Sequence, residues 1–225
     1  MRARQFDLIA FDWDGTLFDS TVAITRSIQL AVADVGGAVP SDERASYVIG
    51  MALMPALAYA APDVPQEKYT ELANRYRYHY FKLQEQVTLF QGVLPMLDAL
   101  RERGHLLAVA TGKSRRGLNE ALQQADLRGV FDSSRTADET AGKPNPLMMR
   151  TGLRMLHCHS AEAVMVGDRM DTDVISGMES GMSTVLVLSG VSTRETIKTY
   201  AYRPSMVLNG VGDIVSLARG EKTED

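Results

Sequence analysis

The chain has 225 residues, 45% hydrophobic and 23% charged, a length and composition suited to one full α/β domain plus a small accessory domain. Lys and Arg number 24 against 28 Asp and Glu, and the net charge of −4 gives no support to a nucleic-acid partner, which would usually show as a basic stripe. Cys158 is the single cysteine, which excludes an internal disulfide and suits a reducing cytoplasm.

The basic start Met1 to Gln5 leads into an apolar run that is interrupted at Asp7 and stops at Asp12. That run is too short for a signal-peptide core or a membrane span, so a cytoplasmic protein without a membrane partner is expected. Its centre, Leu8-Ile9-Ala10-Phe11, predicts a buried strand. From about Thr21 to Gln86 no strand is evident, and the spacing predicts helices over 21–35, 42–60 and 66–86. Gly36-Gly37 and Pro62-Asp63-Val64-Pro65 mark the connections.

Beyond this insertion, strands are predicted at 106–110, 164–166 and 184–188, and helices at 94–103, 115–125, 146–156 and 173–180. Strands alternating with helices imply a parallel, Rossmann-like sheet covered on both faces. The expected division is a core of residues 1–18 and 90–225 with an all-helical cap at 19–89, hinged near 17–20 and 89–92. The polar end, Gly220 to Asp225, is expected to fray.

Ligands bind at the carboxyl ends of strands in such sheets, and the polar residues gather there. Asp12-Trp13-Asp14-Gly15-Thr16 leaves the first strand with two carboxylates two residues apart. They can share a metal ion, or divide nucleophilic and acid/base duties in phosphoryl transfer. A polar turn closing a buried strand is the plain alternative. Thr111 and the Gly112 amide, ahead of a predicted helix, can hold phosphate oxygens, though a helix cap by Thr111 or Ser114 explains the same residues. Lys143 lies between Gly142 and Pro144, where a fixed ammonium can neutralise carboxylates and phosphate. Asp168 follows the third clear strand and suits direct magnesium ligation. Asp173, or less readily Asp171, would anchor a metal-bound water or Lys143.

Taken in order, Asp12-x-Asp14-Gly15-Thr16, Thr111-Gly112, Lys143-Pro144 and Gly167-Asp168 with Asp173 resemble the four motifs of the haloacid dehalogenase-like hydrolases. The resemblance spans almost the whole chain. It implies a magnesium-dependent phosphatase acting on a small phosphorylated metabolite through an aspartyl-phosphate. Asp12 would be the nucleophile and Asp14 the general acid/base, with Thr111, Gly112 and Lys143 binding phosphate. Magnesium would be held by Asp12, the Asp14 carbonyl and Asp168, with Asp173 completing the site. A phosphomutase, a dehalogenase and a scaffold with an inactive site are the rival readings. A monomer is expected.

The position of the cap resembles the phosphoglycolate phosphatase-like branch. In that branch the second aspartate of the last motif comes four residues after the first, where this chain has Thr172. The stretch 167–173, Leu186 to Ser192 and Tyr202-Arg203-Pro204-Ser205 resemble instead the p-nitrophenylphosphatase and nucleotide-phosphatase branch. A composite chain joined near Ala141 to Pro146 is therefore expected. His157-Cys158-His159 reads as a helix end rather than a metal site. Arg115 and Arg116 read as a solvated helix start. The tyrosines at 69, 76, 78 and 80 read partly as packing within the cap, with one or two turned to the active site.

Overall fold

The computed structural model describes residues 6–215. The basic start and the polar end discussed above lie outside the described residues.

β1 (Leu8–Phe11) shows why the chain builds a two-faced sheet. Its side chains alternate, so Ile9 and Phe11 enter one apolar cluster while Leu8 and Ala10 enter another. β2 (Phe18–Asp19) follows, then the inserted helices α1 (Thr21–Asp34), α2 (Asp42–Tyr47), α3 (Leu53–Ala60) and α4 (Tyr69–Leu83). β3 (Thr88–Leu89) returns antiparallel to β2, with Phe18 opposite Leu89. The two chain crossings are thus stitched side by side, and the Phe90 amide donates to the Leu17 carbonyl at 3.0 Å.

The chain then alternates: α5 (Val93–Glu102), β4 (Leu106–Thr111), α6 (Arg115–Gln124), β5 (Ser133–Thr136), α7 (Leu147–Met155) and β6 (Ala163–Gly167). It closes with α8 (Ile175–Glu179), β7 (Ser183–Val187), α9 (Arg194–Lys198) and β8 (Met206–Leu208). The six-stranded sheet is parallel, in the order β5-β4-β1-β6-β7-β8. α5 illustrates how a face is covered. Val93, Met96, Leu97 and Leu100 recur at helical spacing and all are buried, each such side chain contributing roughly 1.5–3 kcal/mol.

The inserted helices keep a core of their own, built from Ile28, Val32, Leu57 and Leu72 among others. The single helix expected over 42–60 is broken in two. Gly50 takes φ +87, a left-handed conformation that ends the helix and turns its carbonyl toward the sheet domain. β5 and β8 were not anticipated from the sequence; both are edge strands. Among the described residues, no helix is long and apolar enough to cross a membrane.

Candidate active site

β4, β1 and β6 are neighbours, so Thr111, Asp12 and Gly167-Asp168 leave the sheet side by side. Gly15, at φ +83, turns the chain sharply after β1, and a Cβ there would stand 2.6 Å from Asp168 Oδ2. Glycine at 15 therefore lets the β1 and β6 exits close on each other.

Lys143 binds the inner site together. Its ammonium donates to Asp12 Oδ1 at 2.6 Å, to Asp173 Oδ1 at 2.6 Å and to the Ala110 carbonyl at 2.9 Å, using all three protons. The second Asp173 oxygen accepts from the Arg169 amide at 3.1 Å. Asp168 Oδ2 accepts from the Val191 amide at 2.7 Å, and Thr16 Oγ1 reaches Asp168 Oδ1 at 3.4 Å. Asp12 Oδ2 is buried and has no hydrogen-bond partner. Carboxylate oxygens of Asp12, Asp168 and Asp173 lie within 4.8 Å of one another.

Two of the three buried carboxylates, Asp12 and Asp173, share one ammonium while Asp168 has none, and the electrostatics follow from that imbalance. Burial pushes the Asp12 carboxyl up to about 7, although Lys143 pulls it back; Asp173 and Asp14 push it further up. Burial, then Asp173 and Asp12, push Asp168 well above the carboxylate range. Burial opposes the Lys143 charge, but Asp12 and Asp173 outweigh it and raise the ammonium above its ordinary value. A hard divalent cation fits this cluster: the donors are carboxylate oxygens, negative charge is in excess, and Asp12 Oδ2 lacks a partner.

Asp173 reaches Lys143 through an extra residue in the chain. The segment Met170–Val174 is a π-helical turn, in which Val174 N bonds Arg169 O and Ile175 N bonds Met170 O, each reaching back five residues. The turn absorbs one residue more than an α-helical start would, which delivers Asp173 rather than Thr172 to the lysine. Asp171 points elsewhere and holds the Arg169 guanidinium at 2.9 Å. Arg169 is itself buried. It donates to the carbonyls of Tyr47 and of Ile49, the latter at 2.9 Å, and lies over the Tyr47 ring. A residue of the β6 loop thus seats the α2–α3 connection of the inserted helices.

Asp14 lies apart from the carboxylate cluster. Its Oδ1 accepts from Ser20 Oγ at 2.7 Å and its Oδ2 pairs with Lys113 Nζ at 3.0 Å. Lys113 also donates to Tyr80 Oη at 3.3 Å, across from α4. Asp14, Lys113, Tyr76 and Tyr80 face a cleft of about 1220 Å³ between the inserted helices and the sheet domain. Gly112 lies beside it, and a Cβ there would stand 2.4 Å from the Gly50 carbonyl oxygen, so the two parts meet backbone to backbone. Thr111 is buried, and its hydroxyl accepts from the Lys113 amide at 3.2 Å.

The structure therefore brings Asp12, Lys143, Asp168 and Asp173 together and places Asp14, Thr111 and Gly112 beside them. Lys113, Ser20 and Arg169 were not singled out from the sequence, whereas Tyr80 is one of the four tyrosines of which one or two were expected to face the site. A lysine directly after Thr111-Gly112 was the one available signal. Arg115 is committed to Glu139 and Ser134. Cys158 bonds the Leu156 carbonyl, and no metal-ligating cluster among the described residues includes it.

The profile of the haloacid dehalogenase-like hydrolases matches residues 9–187, and the chain belongs to that family. Over 219 residues it is 29% identical to the pyrophosphatase PpaX of Bacillus velezensis, covering 96% of this chain and 98% of that protein. A 73-residue block is 55% identical to a dihydroxyacetone phosphatase of Corynebacterium glutamicum, but spans only 32% of this chain and 26% of that one. A block of the same length is 42% identical to the ribonucleotide monophosphatase NagD of Escherichia coli, 29% of which is covered. In fold, the chain superposes on a hydrolase from Pseudomonas syringae with a TM-score of 0.83 at 20% identity, over 97% of this chain and 100% of the other.

Proposed function

We propose that the protein is a divalent-cation-dependent phosphatase of small phosphate monoesters, with Asp12 as nucleophile. The observation that carries this reading is Asp12 Oδ2, a buried carboxylate oxygen without a partner, on a side chain whose other oxygen is fixed by Lys143. The whole-length likeness to a pyrophosphatase and the block likeness to two phosphatases support the reaction class. The uneven identity along the chain is in keeping with a composite.

Asp12, the Asp14 carbonyl and Asp168 would hold the cation, magnesium by the hardness of these donors. When bound, it neutralises phosphate oxygens and favours the ionised form of the carboxylates around it. Asp12 Oδ2 forms a bond to phosphorus as the bond to the leaving oxygen breaks, and Asp14 passes its proton to that oxygen. Water then attacks phosphorus of the aspartyl-phosphate and gives a proton to Asp14. Inorganic phosphate leaves and the Asp12 carboxylate is restored. Lys143 holds Asp12 in line throughout, with Asp173 holding Lys143 in turn. Thr111 and Gly112 lie where phosphate oxygens would be received. Residues 19–89 act as a cap that moves about the β2–β3 ribbon to admit substrate, because Asp12 is buried in the closed form.

The test is phosphate release from p-nitrophenyl phosphate and a panel of small phosphate esters, with magnesium and with chelator. Magnesium-dependent release is expected, lowered by about 10⁴-fold or more in Asp12→Asn. Equal release by the variant, or by the chelated enzyme, overturns the assignment. Transfer of the phosphoryl group to a second position on a sugar phosphate, in place of release, would identify a mutase.

A further inference from the structure

Beside the nucleophile sits a cation that the proposed reaction does not use. Lys113 Nζ stands 3.0 Å from Asp14 Oδ2 and 3.3 Å from Tyr80 Oη, and 4.8 Å above the Tyr80 ring. Its side chain is only 12% exposed. The Tyr76 ring stacks on Tyr80 at 5.9 Å, and Trp13, Phe18 and Leu53 supply apolar wall nearby. The other charges on this cleft, Arg77, Glu85, Arg116, Glu120 and Asp138, belong to exposed residues; Arg116 is paired with Glu120 at 2.9 Å, and Asp138 accepts from Thr136 Oγ1 and the Arg115 amide. In the closed form, Asp14 is thus the counter-ion of Lys113.

An ammonium carries three protons, and among the described residues Asp14 and Tyr80 accept two of those on Lys113, which leaves one for a group that enters the cleft. The leaving group is the part of the substrate that lies against Asp14, and therefore against Lys113. We propose that Lys113 is a specificity-determining residue that selects phosphate esters whose leaving group carries a second anionic group, a carboxylate or a phosphate, close to the scissile oxygen. That anion accepts the remaining proton of the ammonium and pairs with its charge inside the cleft, a partner that a neutral leaving group does not offer. The inference rests on a leaving group that lies on the Asp14 side of the cleft, and so on the phosphatase reading.

The experiment measures kcat/KM with magnesium for two esters of similar size, 2-phosphoglycolate and 2-hydroxyethyl phosphate, on the full chain and on Lys113→Met, Lys113→Gln and Lys113→Arg. The wild type is expected to prefer the anionic ester by on the order of a hundredfold, the scale of one desolvated charge pair. Lys113→Met and Lys113→Gln should bring the two esters within a few-fold of each other, and Lys113→Arg should restore the preference. Lys113→Gln keeps a donor for Tyr80 and carries the test if the Met variant does not fold. Similar rates for the two esters in the wild type, or a preference that survives loss of the lysine, overturn the inference and leave the phosphatase reading intact. No release from either ester or from the wider panel overturns the phosphatase reading and takes the inference with it.

Discussion

Lys143 and Lys113 each hold an aspartate at the carboxyl end of the same sheet, at 2.6 Å and 3.0 Å, yet they are built from different materials. Lys143 is fully buried and bonds only to groups of the sheet domain: Asp12 after β1, the Ala110 carbonyl on β4 and Asp173 after β6. Lys113 faces a cleft, and its second partner, Tyr80, belongs to the inserted α4. The inner pair is a fixture, because breaking it strands two buried carboxylates. The outer ammonium instead joins Asp14 of the sheet domain to Tyr80 of the inserted helices beside the cleft. An ammonium closed in on every side and an ammonium that faces a cleft thus sit at the same end of the sheet, separated by what surrounds them.

Four substitutions set the two regions against each other. The largest effect is expected for Lys143→Met, which leaves Asp12 and Asp173 buried without their ammonium. A stability loss of about 3–5 kcal/mol should appear in urea unfolding without metal. Lys113→Met in the same assay should lose less, about 1–3 kcal/mol, because Asp14 keeps its bond from Ser20 and lines the cleft. Equal losses would erase the distinction between fixture and contact.

Arg169→Gln comes next. It removes a guanidinium that bonds one carbonyl at the end of α2 and one just beyond it, and leaves Asp171 without its partner. A loss of about 1–3 kcal/mol is expected. Because the residue seats the inserted helices and touches none of the reacting atoms proposed here, KM should rise more than kcat falls. A variant that lowers kcat alone would assign Arg169 to the chemistry instead.

The smallest effect lies on the inserted helices alone. Asp34 accepts from His79 and Arg75, both at 2.6 Å, and these bonds hold its carboxyl below the usual carboxylate range. A depressed carboxyl stabilises the fold above its unfolded value of ~4, and that contribution fades as pH falls through the lower folded value. Asp34→Asn should therefore melt slightly below the wild type near neutral pH, with the gap closing in acid. A gap independent of pH would mean that the carboxylate charge contributes nothing there.

What could be read from the sequence follows the same division. Asp12, Thr111, Lys143 and Asp168 were legible because three of them end or follow apolar runs that form adjacent strands, and the fourth lies between two residues that mark a turn. The sheet itself was legible only at its centre. β5 is Ser-Ser-Arg-Thr, an edge strand paired with β4 alone, so no apolar alternation reveals it. The pairing of Lys113 with Tyr80 joins positions 33 apart in sequence through the docking of one part on another, which no local pattern encodes. The break between α2 and α3 turned on one left-handed glycine inside an otherwise helical composition.

The π-helical turn at Met170–Val174 has a meaning for how such chains diverge. A widened turn separates the count of residues along the chain from the place a side chain occupies in space. The loop after β6 can lengthen by one residue and still present the same carboxylate to the same lysine, without any adjustment in the strands. Spacing within a motif is then a property of the coil that carries it. Two lineages that count differently between their aspartates can share one geometry of attack.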